Sequence, residues 1–168
     1  LQAVRTSPNT RAVLIITSDK CYENMEWEWG YRETDRLGGY DPYSSSKACV
    51  EILTQSFRSS FFNPKNYSDH GVSIATARAG NVIGGGDWAV DRLVPDILTA
   101  LESNRVVQIR NPSAIRPWQH VLEPIHAYLT LVERQFNDNE GMYSGSWNFG
   151  PTDDDAKPVS WIIDELLK

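Results

Sequence analysis

Five consecutive apolar residues, Ala12-Val13-Leu14-Ile15-Ile16, constrain this chain more than any other stretch. A strand with one wet face alternates apolar and polar side chains. An unbroken run of this length therefore predicts a strand buried on both faces, as in a parallel sheet. A second strand is predicted over Val72 to Ala77. Between the two, Asp41 is a good N-cap, Pro42 suits the first helical position, and Asn63-Pro64-Lys65-Asn66 is a stop. A helix from Pro42 to about Phe62 follows, with Ala48, Val50, Ile52, Leu53 and Phe57 as its expected apolar face. Downstream, helices are predicted from about Leu93 to Ser103, from Pro124 to about Phe136 and from Val159 to Leu167. Shorter extended pieces are expected over Val106 to Ile109, Arg116 to Val121 and Trp147 to Pro151. Strand and helix alternate, so the class is α/β.

Composition removes several alternatives. A net charge of −6 argues against a general nucleic-acid binder, although it permits a local arginine cluster that grips a phosphate. No run of about 18 apolar residues exists to cross a membrane. The first ten residues lack the apolar core of a signal peptide. Cys21 and Cys49 have no metal-ligand spacing, His120 and His126, six apart, read as structural, and His70 falls in a loop, so no metal is expected. A reducing, cytoplasmic setting is the simplest reading.

Two polar clusters then stand out. Thr17-Ser18-Asp19-Lys20 follows the first buried strand, and ligand crevices of open α/β sheets lie at such carboxyl ends. Tyr43 and Lys47 lie one turn apart at the start of the predicted helix. A phenol near a helix N-terminus, beside an ammonium, can serve as a general base toward a hydroxyl. The segment from 21 to 41 is a long loop carrying Trp27, Trp29, Tyr31 and Tyr40; the rings argue against disorder and for a wall or lid. Gly84-Gly85-Gly86-Asp87 matches neither dinucleotide nor P-loop fingerprints. With two convincing buried strands in its first half and no glycine-rich phosphate turn, the chain is expected to be part of a larger protein.

Taken in order, these blocks resemble the extended short-chain dehydrogenase/reductase family, in its nucleotide-sugar-modifying branch. The resemblance rests on Ser18-Asp19-Lys20, Tyr43-x-x-x-Lys47, Arg78-Ala79-Gly80-Asn81-Val82, Arg92-Leu93-Val94-Pro95, Arg116 to Val121 and Trp147-Asn148-Phe149-Gly150. Thr17 to Tyr22, Gly84 to Trp88 and Ile115 to Val121 are most similar to members of that branch that dehydrate CDP-glucose. The resemblance implies part of a Rossmann-type doubly wound parallel sheet with NAD as cofactor. Residues 1–83 would belong to the NAD-binding domain, and 84–168 mainly to a smaller α/β region that binds the nucleotide sugar.

The implied reaction oxidises the sugar at C4, eliminates water across C5 and C6, and reduces C6. Tyr43 would take the 4-hydroxyl proton, and Lys47 would assist it and bind the nicotinamide ribose. Ser18 would hydrogen-bond the reacting oxygen, with Thr17 a near alternative on the cofactor side. Asp19 would protonate the departing 6-hydroxyl, and Lys20 is a candidate base at C5. An epimerase or reductase does not need both groups, so Asp19-Lys20 favours dehydration. Arg116 and Asn81 would bind the diphosphate, Arg92 would lie near the nucleotide, and Asn148 is a weaker substrate contact. The resemblance also implies a homodimer formed through the helix carrying Tyr43 and Lys47. An epimerase or decarboxylase of the same branch, or a nucleotide-sugar-binding module without turnover, are the rival readings.

Overall fold

The computed structural model describes residues 1–89 and 91–168. Strand β1, Ala12–Ile16, leads through a short 3-10 turn at Asp19–Cys21 and a long loop into helix α1, Pro42–Phe61. The short helix α2, Tyr67–His70, precedes strand β2, Ser73–Ala79. Strand β3 (Val82–Ile83), helix α3 (Leu93–Glu102), strands β4 (Ile115–Pro117) and β5 (Gln119–His120) and helix α4 (Leu122–Asn137) follow. Strand β6 (Gly145–Phe149), strand β7 (Ala156–Pro158) and helix α5 (Val159–Leu166) complete the order.

The chain divides into two compact units, Leu1–Ala79 with Pro124–Phe149, and Gly80–Glu123 with Gly150–Lys168. The first unit is built on a parallel sheet of order β1-β2-β6, in which Ala12 pairs with Ser73 and Ala75 with Gly145. The central strand is the most buried, with Ile74, Ala75 and Ala77 inaccessible to solvent. The apolar run itself is less covered than predicted: β1 lies at the edge of the sheet among the described residues, its first four residues are half-buried and Ile16 is 48 % exposed, so the doubly covered parallel strand is β2. The α/β class and the parallel Rossmann-type sheet thus stand. In the second unit β3 pairs in parallel with β5, and β4 pairs antiparallel with β7.

Three further expectations need correction. Strand β2 runs two residues further than predicted and carries Arg78 inside the sheet, because Glu51 compensates the guanidinium there. Residues 106–109 form no strand; they pair with no strand among the described residues, and Val106 is fully open to solvent. The largest difference is in helix α1. Its buried positions are Ser44, Ala48, Glu51 and Thr54, whereas Ile52 and Leu53 are more than half exposed. Small side chains let the helix approach Cys21 and Tyr22, and a polar network draws in Glu51.

Candidate active site

The start of helix α1 is fixed locally. The Asp41 carboxylate accepts hydrogen bonds from the backbone N–H groups of Tyr43 (2.9 Å) and Ser44 (3.1 Å) and from the Ser44 hydroxyl (2.6 Å). The Ser44 contacts hold its carboxyl below the usual carboxylate range. Gly39 presses on this turn so closely that an added Cβ would lie 2.3 Å from the Ser45 nitrogen and 2.4 Å from the Ser44 carbonyl carbon. The Ser45 hydroxyl donates to the Gly39 carbonyl at 2.9 Å. A hydrogen bond and a close steric contact thus set the first turn.

On that turn Tyr43 is 55 % exposed, and the Lys47 ammonium lies 5.7 Å from its ring centroid. Among the described residues neither the phenol oxygen nor the ammonium has a hydrogen-bonding or ion-pair partner. Both groups are therefore available to an incoming molecule.

At the end of β1, Ser18 caps the 3-10 turn: its Oγ accepts from the Lys20 N–H at 3.2 Å and donates to Asp19 Oδ1 at 2.9 Å. Asp19 Oδ2 lies 3.9 Å from Lys20 Nζ, and the two side chains are 33 % and 45 % exposed. An acid and an amine therefore share one turn, as the motif requires. Thr17 differs. Its hydroxyl faces inward, within hydrogen-bonding reach of the Glu51 carboxylate and of the Ala77 carbonyl at 3.2 Å. Its side chain is thus committed to the core, because Glu51 lies beneath the strand end.

Asn148 is similarly engaged. Its side-chain oxygen accepts from Tyr22 (2.7 Å), and its Nδ2 donates to the Tyr31 carbonyl at 2.9 Å. Its backbone N–H donates to Glu33 (2.9 Å), so this edge of β6 is covered by the loop and Asn148 acts as its anchor. The same loop carries a ladder of rings: Tyr22 on Tyr31 at 5.0 Å, Tyr31 against Trp27 at 5.2 Å, and Trp27 on Trp29 at 5.4 Å. Trp27, Trp29 and Tyr31 thus stack on Tyr22 as part of the expected wall, with Trp29 61 % exposed, whereas Tyr40 stands fully in solvent and is no part of it.

Beneath these groups lies a polar network that the motifs did not announce. Glu51 and Arg78 have side chains 1 % and 3 % exposed and meet at 2.7 Å. Glu51 also accepts from Thr76 (2.7 Å) and Ser146 (3.3 Å), besides Thr17. Arg78 Nη1 donates to the Tyr22 oxygen at 2.6 Å and to the Glu33 carbonyl at 3.1 Å. Burial alone would raise the Glu51 carboxyl, but the hydrogen bonds from Arg78, Thr17 and Thr76 outweigh it and hold the group below its ordinary value. Burial likewise opposes the Arg78 charge, and Glu51 and Tyr22 more than restore it. Burial pushes the Cys21 thiol up to about 12, which keeps it protonated and unreactive. The available signal was positional: Glu51 follows Tyr43 and Lys47 at the next interval of four.

The second unit holds the remaining candidates. Asn81 is half-buried, and its carbonyl accepts from the Gln119 N–H at 3.1 Å. Arg116 sits half-buried on β4, and Arg92, 66 % exposed, precedes α3 with Asp87 at 3.9 Å. The Trp118 indole donates to the Lys157 carbonyl at 3.1 Å, pinning the strand pair that carries Arg116. Gly84 lies under Val121, where a Cβ would meet the Val121 methyl at 2.5 Å. Among the described residues no three His, Cys, Asp or Glu side chains form a metal-binding group, and no helix is long and apolar enough to cross a membrane.

Comparison with known proteins adds the family. The model of the NAD dependent epimerase/dehydratase family matches residues 1–148. A CDP-glucose 4,6-dehydratase from Salmonella typhimurium is 57 % identical over 167 residues, covering 99 % of this chain and 46 % of that protein. The chain thus spans about half the length of that curated relative. Among solved structures, a dTDP-glucose 4,6-dehydratase from Bacillus anthracis in complex with NAD superposes with a TM-score of 0.76 at 17 % identity, over 99 % of this chain and 48 % of the other. A UDP-N-acetylglucosamine 4-epimerase from Methanobrevibacter ruminantium gives 0.74 at 20 % identity, over 97 % and 47 %. At such identities these structures speak for the fold.

Proposed function

Because the chain belongs to the NAD dependent epimerase/dehydratase family, we propose that it carries the catalytic segment of a CDP-glucose 4,6-dehydratase. Such an enzyme converts CDP-glucose to the 4-keto-6-deoxy sugar used in deoxysugar assembly. The observation that carries this reading is the 57 % identity to a CDP-glucose 4,6-dehydratase over 99 % of the chain. The Asp19-Lys20 turn supports it independently, since elimination of water needs an acid and a base beside the redox pair.

The residues present fit the cofactor: an uncommitted phenol and an ammonium one helical turn apart suit a nicotinamide ribose, so Tyr43 and Lys47 would hold it. NAD, when bound, supplies a reversible two-electron acceptor. Tyr43 takes the proton from the sugar 4-hydroxyl as C4 is oxidised, with the Lys47 ammonium beside its ring on the same helical face. Ser18, whose hydroxyl donates to Asp19 in the free site, turns that proton to the 4-oxygen when the sugar binds. The 4-keto group acidifies C5–H, Lys20 removes that proton, and Asp19 protonates the departing 6-hydroxyl. After the step Lys20 is the ammonium and Asp19 the carboxylate, and their separation of 3.9 Å lets the proton pass from Lys20 to Asp19 and restore both groups.

In the second unit Arg116 and Asn81 bind the diphosphate, where a planar guanidinium fork suits phosphate oxygens, and Arg92 lies near the nucleotide. Residues 1–83 serve the cofactor and chemistry, and 84–168 mainly the nucleotide sugar. A cytoplasmic homodimer completes the reading.

Incubating the full-length protein with CDP-glucose and NAD tests it. A product that absorbs in the near ultraviolet in alkali, as a 4-keto sugar does, is expected. Recovery of an epimerised CDP-hexose without a keto product would assign the chain to the epimerase side of the family.

A further inference from the structure

We propose that Glu51 is a positioning residue, which fixes the catalytic turn Ser18–Lys20 against the Tyr43–Lys47 turn by way of the Thr17 hydroxyl. The proposal rests on the dehydratase reading for its kinetic consequence, while its structural part stands on the geometry alone. Tyr43, Lys47 and Glu51 form one row along α1. Each four-residue step advances about 6 Å and rotates about 40°. The row therefore rolls from the surface into the core, from a Tyr43 that is 55 % exposed to a Glu51 that is 2 % exposed. Its last member grips the sheet. One carboxylate receives Thr17 from the end of β1, Thr76 and Arg78 from β2, and Ser146 from β6.

Thr17 is the residue immediately before Ser18, whose own hydroxyl organises Asp19 and Lys20. The Glu51–Thr17 contact thus sets the height and angle at which the acid–base turn leaves the strand, measured from the helix that carries the phenol. Arg78 extends the same tie to the Tyr22 hydroxyl and the Glu33 carbonyl, and so to the aromatic wall. A buried ion pair contributes little stability over well-packed apolar groups of the same volume. Its directional bonds fix geometry instead. That matters here because a displacement of about 1 Å at a reacting centre can cost roughly 100-fold in rate.

Thr17→Val removes the hydroxyl, keeps the shape and leaves Glu51 paired with Arg78. In the full-length protein we expect kcat on CDP-glucose to fall about 10- to 100-fold with KM within about twofold. Thr17→Ser should restore most of kcat. Ser146→Ala, which removes a different bond to the same carboxylate, should stay within about twofold of wild type. In the free protein, amide exchange of Ser18 to Tyr22 should accelerate in Thr17→Val and not in Ser146→Ala. If the valine variant does not fold, Thr17→Ala decides the case by the same readouts. A folded hydroxyl-free variant with wild-type kcat and unchanged exchange, or equal effects at Thr17 and Ser146, would overturn the proposal. Failure of the wild-type protein to dehydrate CDP-glucose, with the exchange difference intact, would remove the dehydratase reading and leave the positioning role standing.

Discussion

Two turns of one helix separate opposite kinds of polar residue. Tyr43 is exposed and Lys47 half-buried, with their functional atoms uncommitted among the described residues, whereas Glu51 is buried with contacts to four side chains. The first arrangement can do chemistry, because an unpaired phenol and ammonium are free to meet a substrate. The second is instead engaged by the sheet, and in the proposed role it sets where the Ser18–Lys20 turn stands relative to the first. Reactive groups and the groups that aim them therefore differ by exposure and not by residue type, and both belong to one row along the helix.

The sharpest way to break this comparison is to alter the surface member alone. Tyr43→Phe should lower kcat of the full-length protein by about 10²- to 10⁴-fold, the usual range for loss of a general base. Its thermal melting should not move, because the lost hydroxyl has no partner among the described residues. A parallel loss of melting temperature would show the phenol to be part of the fold.

Altering the buried member should do the reverse. Glu51→Ala leaves the Arg78 charge buried and unpaired, which costs about 3–5 kcal/mol; denaturant titration of the variant checks it. A loss below about 1 kcal/mol would mean that water compensates Arg78 and that the network is soft. Gly39→Ala probes the junction between the two regions. Its Cβ would overlap backbone of Ser44 and Ser45, a clash that no side-chain rotation relieves. Overpacking of this kind costs about 1–3 kcal/mol, and an unchanged denaturation midpoint would refute the close contact.

The smallest effect is a pH dependence. The folded-state carboxyls of Asp41 and Glu51 both lie below their ordinary values, Asp41 through Ser44 and Glu51 through Arg78, Thr17 and Thr76 against the opposing effect of burial. Each contributes stability that is present above the unfolded carboxylate range of about 4 and is lost as pH falls through the folded value. Asp41→Asn preserves a capping side chain and removes one titration. Its melting temperature should fall less steeply in acid than that of the wild type, and equal slopes would exclude Asp41 as a contributor.

Much of this was legible in the sequence, for identifiable reasons. The apolar run of β1 and the Asp41-Pro42 start of α1 are local signals, and the structure reproduces their positions, although β1 is an edge strand of the described sheet and not the doubly covered one. The pairing of Tyr43 with Lys47 follows from helical spacing alone. The buried face of α1 was not legible, because apolar periodicity points to Ile52 and Leu53, which are exposed. Glu51 is drawn in by Thr17 and Arg78, 34 and 27 residues away, and no window of local sequence contains that information. Strand β7 exists because Ala156 to Pro158 meets Ile115 to Pro117; its own residues, with proline among them, argue for nothing. The inward turn of Thr17 and the anchoring of Asn148 by Tyr22 and Tyr31 were hidden for the same reason.

Turnover of CDP-glucose by the full-length protein in deuterium oxide tests the central claim most directly. If Tyr43 and Lys47 serve the redox steps while the Ser18–Lys20 turn moves the proton and the water, the 4-keto-6-deoxy product should carry solvent deuterium at C5. Product formed without deuterium at C5 would contradict elimination through that carbon, and with it the role given to Asp19 and Lys20.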